Sequence, residues 1–249
     1  MIIIAGDSWG CGELPEMNTR LDHFDYYNLV GLGLYLQDSG RDVINCSVPG
    51  GSNLLALQEL TSTLHKITLQ GRLKDVTHVF IFQTEWYRDF RIFAPNLAGF
   101  IDLKNPYYIP TNFDQNFVLS LISRWQYRLA ELARAHNLRI GVIGGCSDTI
   151  WLSKFEEEYP GLYIACQSFT NLCISNNDKI DNPVFAVTPD PNFIELCKKY
   201  DIEFLLSQLD LGKERKAQWR NHPEWFWPDG NHANAAAHRK LYEFLEIDV

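Results

Sequence analysis

The chain has 249 residues with a formal net charge of −9; 46% of its residues are hydrophobic and 21% are charged. This length and composition exclude a disordered chain and a mini-protein that needs disulfides, because a chain of this size buries about 70–75% of its unfolded surface. The acidic excess argues against nucleic acid and against an anionic membrane surface as partners, since both attract clustered Lys and Arg side chains.

The cysteines predict free thiols rather than a disulfide framework. None forms a Cys-x-x-Cys pair, and no histidine lies at zinc-finger spacing from them. We therefore expect buried thiols in a reducing compartment. No apolar run reaches the roughly 18 residues that a membrane-spanning helix needs, and the first residues resemble a strand rather than a secretion signal. These features predict a cytoplasmic protein.

The predicted elements alternate between strands and helices. Short apolar, β-branched runs predict strands that are buried on both faces, and apolar residues at helical spacing predict amphipathic helices. In chain order they are strand 2–5, helix 26–37, strand 43–46, helix 53–69, strand 79–82, helix 118–135, strand 140–143, helix 193–200, strand 202–206 and helix 233–245. This alternation predicts a three-layer α/β/α sandwich with a mainly parallel sheet of about five strands.

Two long segments do not fit this minimal pattern. Residues 89–116 are aromatic and contain prolines, and residues 146–183 are irregular. Neither has a periodic apolar pattern that could build its own core, and long loops in a compact domain are usually lids or binding surfaces. We therefore predict a single domain over residues 1–249 with insertions at about 89–116 and 146–183.

Gly6-Asp7-Ser8 directly follows the first predicted strand. A serine in the turn that leaves a buried parallel strand lies at the carboxyl edge of the sheet, where open α/β folds bind ligands. A helix that follows points its first N–H groups at whatever is attached to the serine oxygen. By itself, such a triplet more often only caps a helix.

A second polar pair precedes the last predicted helix. Asp229 and His232 are close enough in sequence to meet on one helical turn or across a tight turn. A carboxylate that accepts a hydrogen bond from one ring nitrogen fixes the histidine tautomer and leaves the other nitrogen as a base. Alone, an Asp-x-x-His pair more often caps a helix or lies on the surface.

Together, the two motifs resemble those of the SGNH (GDSL) hydrolase family. Gly6-Asp7-Ser8 resembles the first block of the family, and Asp229-x-x-His232 resembles the last. Residues 45–52, Asn-Cys-Ser-Val-Pro-Gly-Gly-Ser, look like the second block, in which Gly50 matches the glycine best. The resemblance spans most of the chain and implies the flavodoxin-like α/β/α fold of that family.

The resemblance also implies a function and a site. It implies a serine ester hydrolase, either a carboxylesterase or a deacetylase of O-acylated carbohydrate, whose nucleophile is Ser8, whose base is His232 and whose orienting acid is Asp229. The backbone N–H groups of Ser8 and Gly50 would bind the oxyanion of the acyl-enzyme pathway. The family requires no metal or organic cofactor, and the implied partner is a small-molecule or carbohydrate ester. The sequence leaves acyl length and oligomeric state open.

The third block departs from the family pattern. The family usually has Gly-x-Asn-Asp after the third strand, whereas this chain has Gln83-Thr84-Glu85-Trp86, so Glu85 takes the position of the asparagine. An ionised carboxylate cannot donate a hydrogen bond. At about 4 Å from a developing oxyanion it would cost about 4 kcal/mol at an effective dielectric constant of about 20.

Three outcomes remain open for the third block. Glu85 turns away while Gln83 or Thr84 donates, or burial protonates Glu85, or the site hydrolyses poorly and the fold serves binding. We favour compensation by Gln83 or Thr84. A non-catalytic carbohydrate-binding or assembly protein, and an acyltransferase with the same triad, are the alternative functions on this fold.

The remaining candidate residues have two interpretations each. The aromatic residues before Asp229 either stack on a substrate or pack in the core; they are Trp219, Trp225, Phe226 and Trp227. Arg88 and Arg91 either bind a substrate carboxylate or are solvated. The spacing of His222, His232 and His238 does not favour a metal site, and Cys11 is expected to be a packed thiol.

Overall fold

The computed structural model describes residues 1–12, 31–90, 115–149, 161–185, 194–195, 198, 203–227 and 232–247. Its strands are β1 Ile2–Ala5, β2 Val43–Asn45, β3 His78–Gln83, β4 Ile140–Gly144 and β5 Leu162–Cys166. Its helices are α1 Ser8–Cys11, α2 Leu32–Asp38, α3 Asn53–Leu69, α4 Gln115–His136, α5 Phe169–Ser175, α6 Glu203–Asn221 and α7 Ala235–Phe244. Short 3₁₀ turns occur at Leu73–Asp75 and Trp86–Phe90.

The five strands form one parallel sheet in the order β2-β1-β3-β4-β5. This is the strand order of flavodoxin-like folds. Every residue of β1 is at most 1% exposed, because helices cover both faces of the sheet, and such strands appear in the sequence as continuous apolar runs. The predicted fold class, an α/β/α sandwich with a parallel sheet of about five strands, is confirmed.

The fifth strand is not where the sequence analysis placed it. The prediction of a strand at 202–206 is wrong, because Glu203–Asn221 forms α6. The side chains that α6 buries include Gln208, Arg215 and Trp219. They recur at helical spacing, but two of them are polar, so α6 lacks the apolar stripe that would have identified it. Periodicity cannot distinguish a short apolar run at the start of such a helix from a buried strand.

The true fifth strand lies inside the segment 146–183, which we predicted to be an insertion. β5 pairs with β4, and α5 follows it and packs in the core, so residues 162–175 are part of the sandwich and this part of the prediction is wrong. β5 is an edge strand with a half-buried centre, and the helix after it is short. The strand–helix pattern is therefore weak there. Of the other predicted insertion, residues 91–114 lie outside the described residues.

Three of the predicted helices are confirmed closely. The prediction for 53–69 coincides with α3, and Ser52 caps it by accepting a hydrogen bond from the N–H of Leu55 at 3.3 Å. The predictions for 118–135 and 233–245 correspond to α4 and α7. Residues 26–30 and most of 193–200 lie outside the described residues. In the part of the chain that the structure describes, no helix has the length and apolar character to cross a membrane.

Two hydrophobic cores lie on opposite faces of the sheet. Alternate strand residues point to each face; Ile3 and Val79 pack with α3 and α4, whereas Ile4 and Phe80 pack with α2, α5 and α7. Helix α6 contributes to both cores, through Leu209 on the first face and through Trp219 on the second. The carboxyl edge of the sheet, between the two cores, carries the loops that follow β1, β2 and β3.

Candidate active site

The carboxyl ends of β1 and β3 flank the topological switch point of the sheet, where the order of the strands reverses. β1 pairs with β2 on one side and with β3 on the other, so the loops that follow diverge and leave a crevice. Ser8 begins α1 directly after β1, and Thr84 and Glu85 follow β3. The first and third sequence motifs therefore lie where open α/β sheets bind their ligands.

The loop that carries Ser8 is held in place by Asp7 and by a glycine. The Oδ1 atom of Asp7 accepts a hydrogen bond from the N–H of Trp9 at 3.0 Å and so caps α1. Gly6 has a φ of 151°, and a Cβ atom at this position would lie 2.7 Å from the Cβ of Phe82, so this position requires glycine. Ser8 itself is 6% exposed at the start of α1.

The loop after β2 is bonded to the Ser8 loop. The amide nitrogen of Asn45 donates to the carbonyl oxygen of Gly10 at 3.0 Å. The N–H of Val48 donates to the carbonyl oxygen of Gly6 at 2.9 Å. These two hydrogen bonds bring the second sequence motif beside the first.

Gly50 lies at the tip of a tight turn in this second loop. The turn is closed by a hydrogen bond from the N–H of Gly51 to the carbonyl oxygen of Val48 at 2.9 Å. Pro49 followed by Gly50 with a φ of 71° is the pattern of a type II turn, in which the third residue needs a positive φ. Glycine is therefore required at this position by the backbone.

The backbone N–H groups of Ser8 and Gly50 are the two donors that the resemblance implies for an oxyanion. Within the described residues, neither donates to a protein acceptor. Gly50 is exposed, and Ser8 is the first residue of α1, where backbone N–H groups have no acceptor inside the helix. Both donors are therefore available to a ligand.

Gln83 and Thr84 direct their side-chain donors into the protein. The hydroxyl of Thr84 donates to Oδ2 of Asp7 at 2.6 Å. The amide of Gln83 donates to the carbonyl oxygen of Asp148 at 2.6 Å and accepts from the hydroxyl of Thr149 at 3.1 Å. Gln83 and Thr84 are at most 1% exposed. We predicted that one of them supplies the third oxyanion donor, but in these contacts both side chains donate to groups of the protein.

Glu85 turns towards Arg88. Its Oε2 atom accepts a hydrogen bond from Nε of Arg88 at 3.1 Å and forms an ion pair with Nη2 at 3.0 Å. The Nη1 atom of the same guanidinium donates to Oδ2 of Asp7 at 3.3 Å and to the carbonyl oxygen of Gly51 at 3.3 Å. Glu85 is fully buried, whereas the side chain of Arg88 is 21% exposed. The carboxylate at the position of the family's asparagine thus has a cation as its partner.

Asn53 and Asp89 support the third motif, and sequence reasoning missed both. Asn53 accepts from the N–H of Thr84 at 2.9 Å and donates to the carbonyl oxygen of Thr84 at 3.1 Å and to Asp89 at 2.9 Å. Asp89 also accepts from the N–H of Leu54 at 2.9 Å. Burial raises the pKa of Asp89, although these hydrogen bonds act in the opposite direction. In the sequence, Asn53 is only an ordinary residue at a helix start.

The loop that carries His232 is anchored beside Trp9. The carbonyl oxygen of His232 accepts from the N–H of Trp227 at 2.9 Å, and Phe226 and Ala233 form an antiparallel bridge. The ring of Phe226 lies 6.3 Å from that of Trp9, the residue that follows Ser8. Half-buried His232 and buried Ser8 therefore belong to neighbouring loops. Asp229 lies outside the described residues.

The aromatic residues before Asp229 belong mostly to the core. Trp219 and Phe226 are at most 1% exposed and pack against Trp9, so core packing is the correct interpretation for these two. Trp225 is half-buried and has the ammonium of Lys240 4.5 Å from its ring centroid. Trp227 is half-buried beside His232 and remains the candidate for stacking on a substrate.

The thiols of the described residues are free, and most of them are buried. Burial, assisted by Asp7, raises the pKa of the Cys11 thiol to about 12, so Cys11 is a packed thiol close to Ser8 rather than a nucleophile.

Burial lowers the pKa of His238 to about 3. Among the described residues, no group of three or more His, Cys, Asp or Glu side chains could hold a metal ion.

No protein-family model matches the chain, and no curated protein matches it. Among solved structures, the chain is similar to the psychrotrophic esterase EstA from Pseudoalteromonas sp., in a form inhibited by monoethylphosphonate, with 15% identity over 98% of this chain and 93% of that chain and a TM-score of 0.38. It is also similar to TesA, with 16% identity over 98% of this chain and 94% of that chain and a TM-score of 0.39.

Proposed function

We propose that this protein is a serine ester hydrolase, with Ser8 as nucleophile, His232 as general base and Asp229 as the group that orients the imidazole. Its substrate is a carboxylic ester, either a simple alkyl ester or an O-acyl ester of a carbohydrate. The observation that carries the proposal is the position of Ser8 at the point between β1 and β3 where the sheet changes direction, together with two unengaged backbone donors at Ser8 and Gly50.

The proposed reaction passes through an acyl-enzyme. The Oγ atom of Ser8 attacks the acyl carbon while His232 takes the hydroxyl proton, and the resulting oxyanion accepts hydrogen bonds from the N–H groups of Ser8 and Gly50. Collapse of the intermediate breaks the bond to the alcohol, which leaves with the proton from His232. Water then attacks the acyl group on Ser8 by the same steps, releasing the carboxylic acid and restoring the hydroxyl.

The anchoring of the His232 loop supports this assignment. Trp9, the neighbour of Ser8, packs against Phe226, and Phe226 is bridged to Ala233, the neighbour of His232. A base and a nucleophile need to come within hydrogen-bond reach of each other, which requires that their loops be adjacent. The shared aromatic contact keeps the two loops adjacent.

The Glu85 charge is compatible with hydrolysis because Arg88 is paired with it. An unpaired carboxylate about 4 Å from the oxyanion would cost about 4 kcal/mol, and the guanidinium 3.0 Å from Glu85 offsets that charge. Since Gln83 and Thr84 donate elsewhere, we propose an oxyanion hole with two backbone donors. One donor contributes about 2.7–4 kcal/mol, so we expect slower turnover than in an enzyme with three.

Turnover of p-nitrophenyl acetate by the wild type and by Ser8→Ala tests the proposal. We expect measurable turnover that falls by at least about 1,000-fold in Ser8→Ala, and labelling of wild-type Ser8 by a fluorophosphonate. A wild type that is no faster than Ser8→Ala and stays unlabelled would favour the non-catalytic binding protein. Chromatography of the products with added alcohol then separates hydrolysis from acyl transfer, because only an acyltransferase makes mainly the new ester.

A further inference from the structure

We propose that Arg88 is a positioning residue that sets the separation of the two oxyanion donors, and that Glu85 orients it for this task. The inference rests on the proposed function, because it assigns a role within the proposed oxyanion hole. The third motif of this chain has a buried carboxylate, Glu85, and an arginine, Arg88. The SGNH family, which the chain resembles, usually has an asparagine as hydrogen-bond donor there, and the proposed role accounts for this difference.

A single nitrogen of Arg88 connects the two loops that carry the donors. Nη1 donates to Asp7, the residue before Ser8, and to the carbonyl oxygen of Gly51, the residue after Gly50, in both cases at 3.3 Å. Each donor of the proposed oxyanion hole is therefore adjacent in sequence to a group that Nη1 holds. A shift of this nitrogen changes the separation of the N–H groups of Ser8 and Gly50.

Glu85 fixes the direction in which the guanidinium points. Nε donates to Oε2 of Glu85 at 3.1 Å, and Nη2 lies 3.0 Å from the same oxygen in an ion pair. These contacts hold the planar group by one edge and present Nη1 to Asp7 and Gly51. A guanidinium can make this two-sided contact because its donors lie in a rigid fork, whereas the single ammonium of a lysine cannot. Glu85 is 0% exposed, so water does not compete for its oxygens.

Asp7 is held from a second side as well. Its Oδ2 atom accepts from the hydroxyl of Thr84 at 2.6 Å, and its Oδ1 atom caps α1 through the N–H of Trp9. Asn53 in turn holds the backbone of Thr84. The loop of Ser8 is thus fixed by Thr84 to the end of β3. Arg88 adds a link from Asp7 to Gly51, close to the two donors, to the hydrogen bonds that already join the two loops through Gly6 and Gly10.

The expected consequence of losing this link is a loss of rate rather than of substrate binding. Oxyanion donors act most strongly in the transition state, so a misplaced pair lowers kcat with little change in KM. A misplacement of about 1 Å can cost about 100-fold in rate. If Arg88 acted in folding alone, its loss would change the thermal unfolding midpoint but would not lower kcat while leaving KM nearly unchanged.

The test compares Arg88→Ala, Arg88→Lys and Glu85→Gln with a matched control. Arg134→Ala is the control. Arg134 also makes an ion pair, with Glu131 at 2.7 Å, but its side chain is 77% exposed and it lies in the last turn of α4. The measurements are the rate of fluorophosphonate labelling of Ser8, kcat and KM for p-nitrophenyl acetate, and the rescue of Arg88→Ala by added guanidinium chloride at millimolar concentration.

We expect Arg88→Ala to be labelled about 100-fold more slowly than the wild type, with KM changed by less than about threefold and the rate raised by guanidinium. Arg88→Lys and Glu85→Gln should be slowed about tenfold or more, and Arg134→Ala should match the wild type. If Arg88→Ala does not fold, Arg88→Lys and Glu85→Gln decide, and labelling at the wild-type rate in either folded variant overturns the inference. An unlabelled wild type instead rejects the proposed function.

Discussion

Arg215 and Asp148 form a buried, two-pronged ion pair that joins α6 to the loop after β4. Nη1 of Arg215 donates to Oδ1 of Asp148 at 3.0 Å, and Nη2 donates to Oδ2 at 2.8 Å. Neither side chain is more than 4% exposed. The Oδ2 atom also accepts from the N–H of Val184 at 2.8 Å, and the carbonyl oxygen of Asp148 accepts from Gln83. The pair therefore fixes the loop after β4, to which Gln83 of the third motif is hydrogen-bonded.

Substitution of Arg215 by methionine should lower the free energy of unfolding by about 3–5 kcal/mol, because it leaves the Asp148 carboxylate buried without its counter-charge. Urea denaturation followed by circular dichroism measures the change. Lys213→Met is the matched control on the same helix, since its ion pair with Asp210 is exposed and should contribute less than about 1 kcal/mol. Equal effects of the two substitutions would contradict the assignment.

A second prediction concerns His238, whose ring packs against Phe169 at a centroid distance of 5.3 Å. Both of its ring nitrogens are buried and lack a hydrogen-bond partner within the described residues, and burial lowers its pKa from 6.5 to about 3. Between these values the unfolded chain binds more protons than the folded one, so stability is full above about pH 6.5 and falls as the pH falls towards 3.

The wild type should therefore lose about 2 kcal/mol more unfolding free energy between pH 7 and pH 5 than His238→Phe does. Phenylalanine keeps the aromatic packing and removes the titrating group. Urea unfolding of both proteins at the two pH values gives the comparison, in which carboxylates common to both cancel. Parallel pH dependence in the two proteins would show that His238 is not the group responsible.

Gly10 offers a prediction about the packing of the first two motifs. A Cβ atom at this position would lie 2.5 Å from Oγ of Ser47 and 3.3 Å from the carbonyl oxygen of Ala5. Gly10→Ala should therefore destabilise the protein by about 1–3 kcal/mol and slow the labelling of Ser8. Ser47→Ala removes the closest contact and should restore part of both losses, as measured by thermal unfolding and by fluorophosphonate labelling.

Gly33→Ala is the control for Gly10→Ala. Its added Cβ would lie 3.5 Å from the amide nitrogen of Asn45, an ordinary contact, and Gly33 lies within α2. Alanine in a helix is favoured over glycine by about 1 kcal/mol, so this variant should be as stable as the wild type or more so. A Gly10→Ala variant that behaves like Gly33→Ala would contradict the packing argument.

Cys11 should be inert despite its closeness to Ser8. With its pKa raised to about 12 by burial, and further by Asp7 and Cys46, only about one thiol in 10,000 is ionised at pH 8. Iodoacetamide should leave Cys11 unmodified in the native protein and modify it in urea, as peptide mass spectrometry can show. Treatment of the native protein should also leave fluorophosphonate labelling unchanged, and loss of labelling would implicate a thiol.

The sequence was sufficient to predict the strands and helices that bury mainly apolar side chains in a regular pattern. The β1 run Ile2–Ala5 is buried on both faces, and Asn53–Leu69 has a regular apolar stripe and a serine cap, so local pattern and tertiary environment agree. The pattern failed at residues 202–206, because α6 turns polar side chains such as Gln208 and Arg215 into the protein. Their burial depends on partners that periodicity does not reveal.

The site could be predicted only in part for a similar reason. Ser8 was found because it follows a buried parallel strand at the carboxyl edge of the sheet. Gly50 was found only because residues 45–52 resemble the second block of the SGNH family. The contacts of Arg88 with Asp7 and of Arg215 with Asp148 join residues 81 and 67 positions apart. Such pairings depend on where side chains meet in the folded sheet, and a single sequence has no spacing that encodes them.

The hydrogen bond between α2 and the start of α7 has a consequence for the order in which the parts of the proposed site assemble. The hydroxyl of Tyr35 donates to the carbonyl oxygen of Ala235 at 2.9 Å across 200 residues of chain, next to the loop that carries His232. Contacts of such long range close slowly, because the intervening chain must first lose its freedom. In refolding, helical signal should therefore return before the capacity of Ser8 to be labelled by a fluorophosphonate, and the interval between the two reports the docking of the last helix.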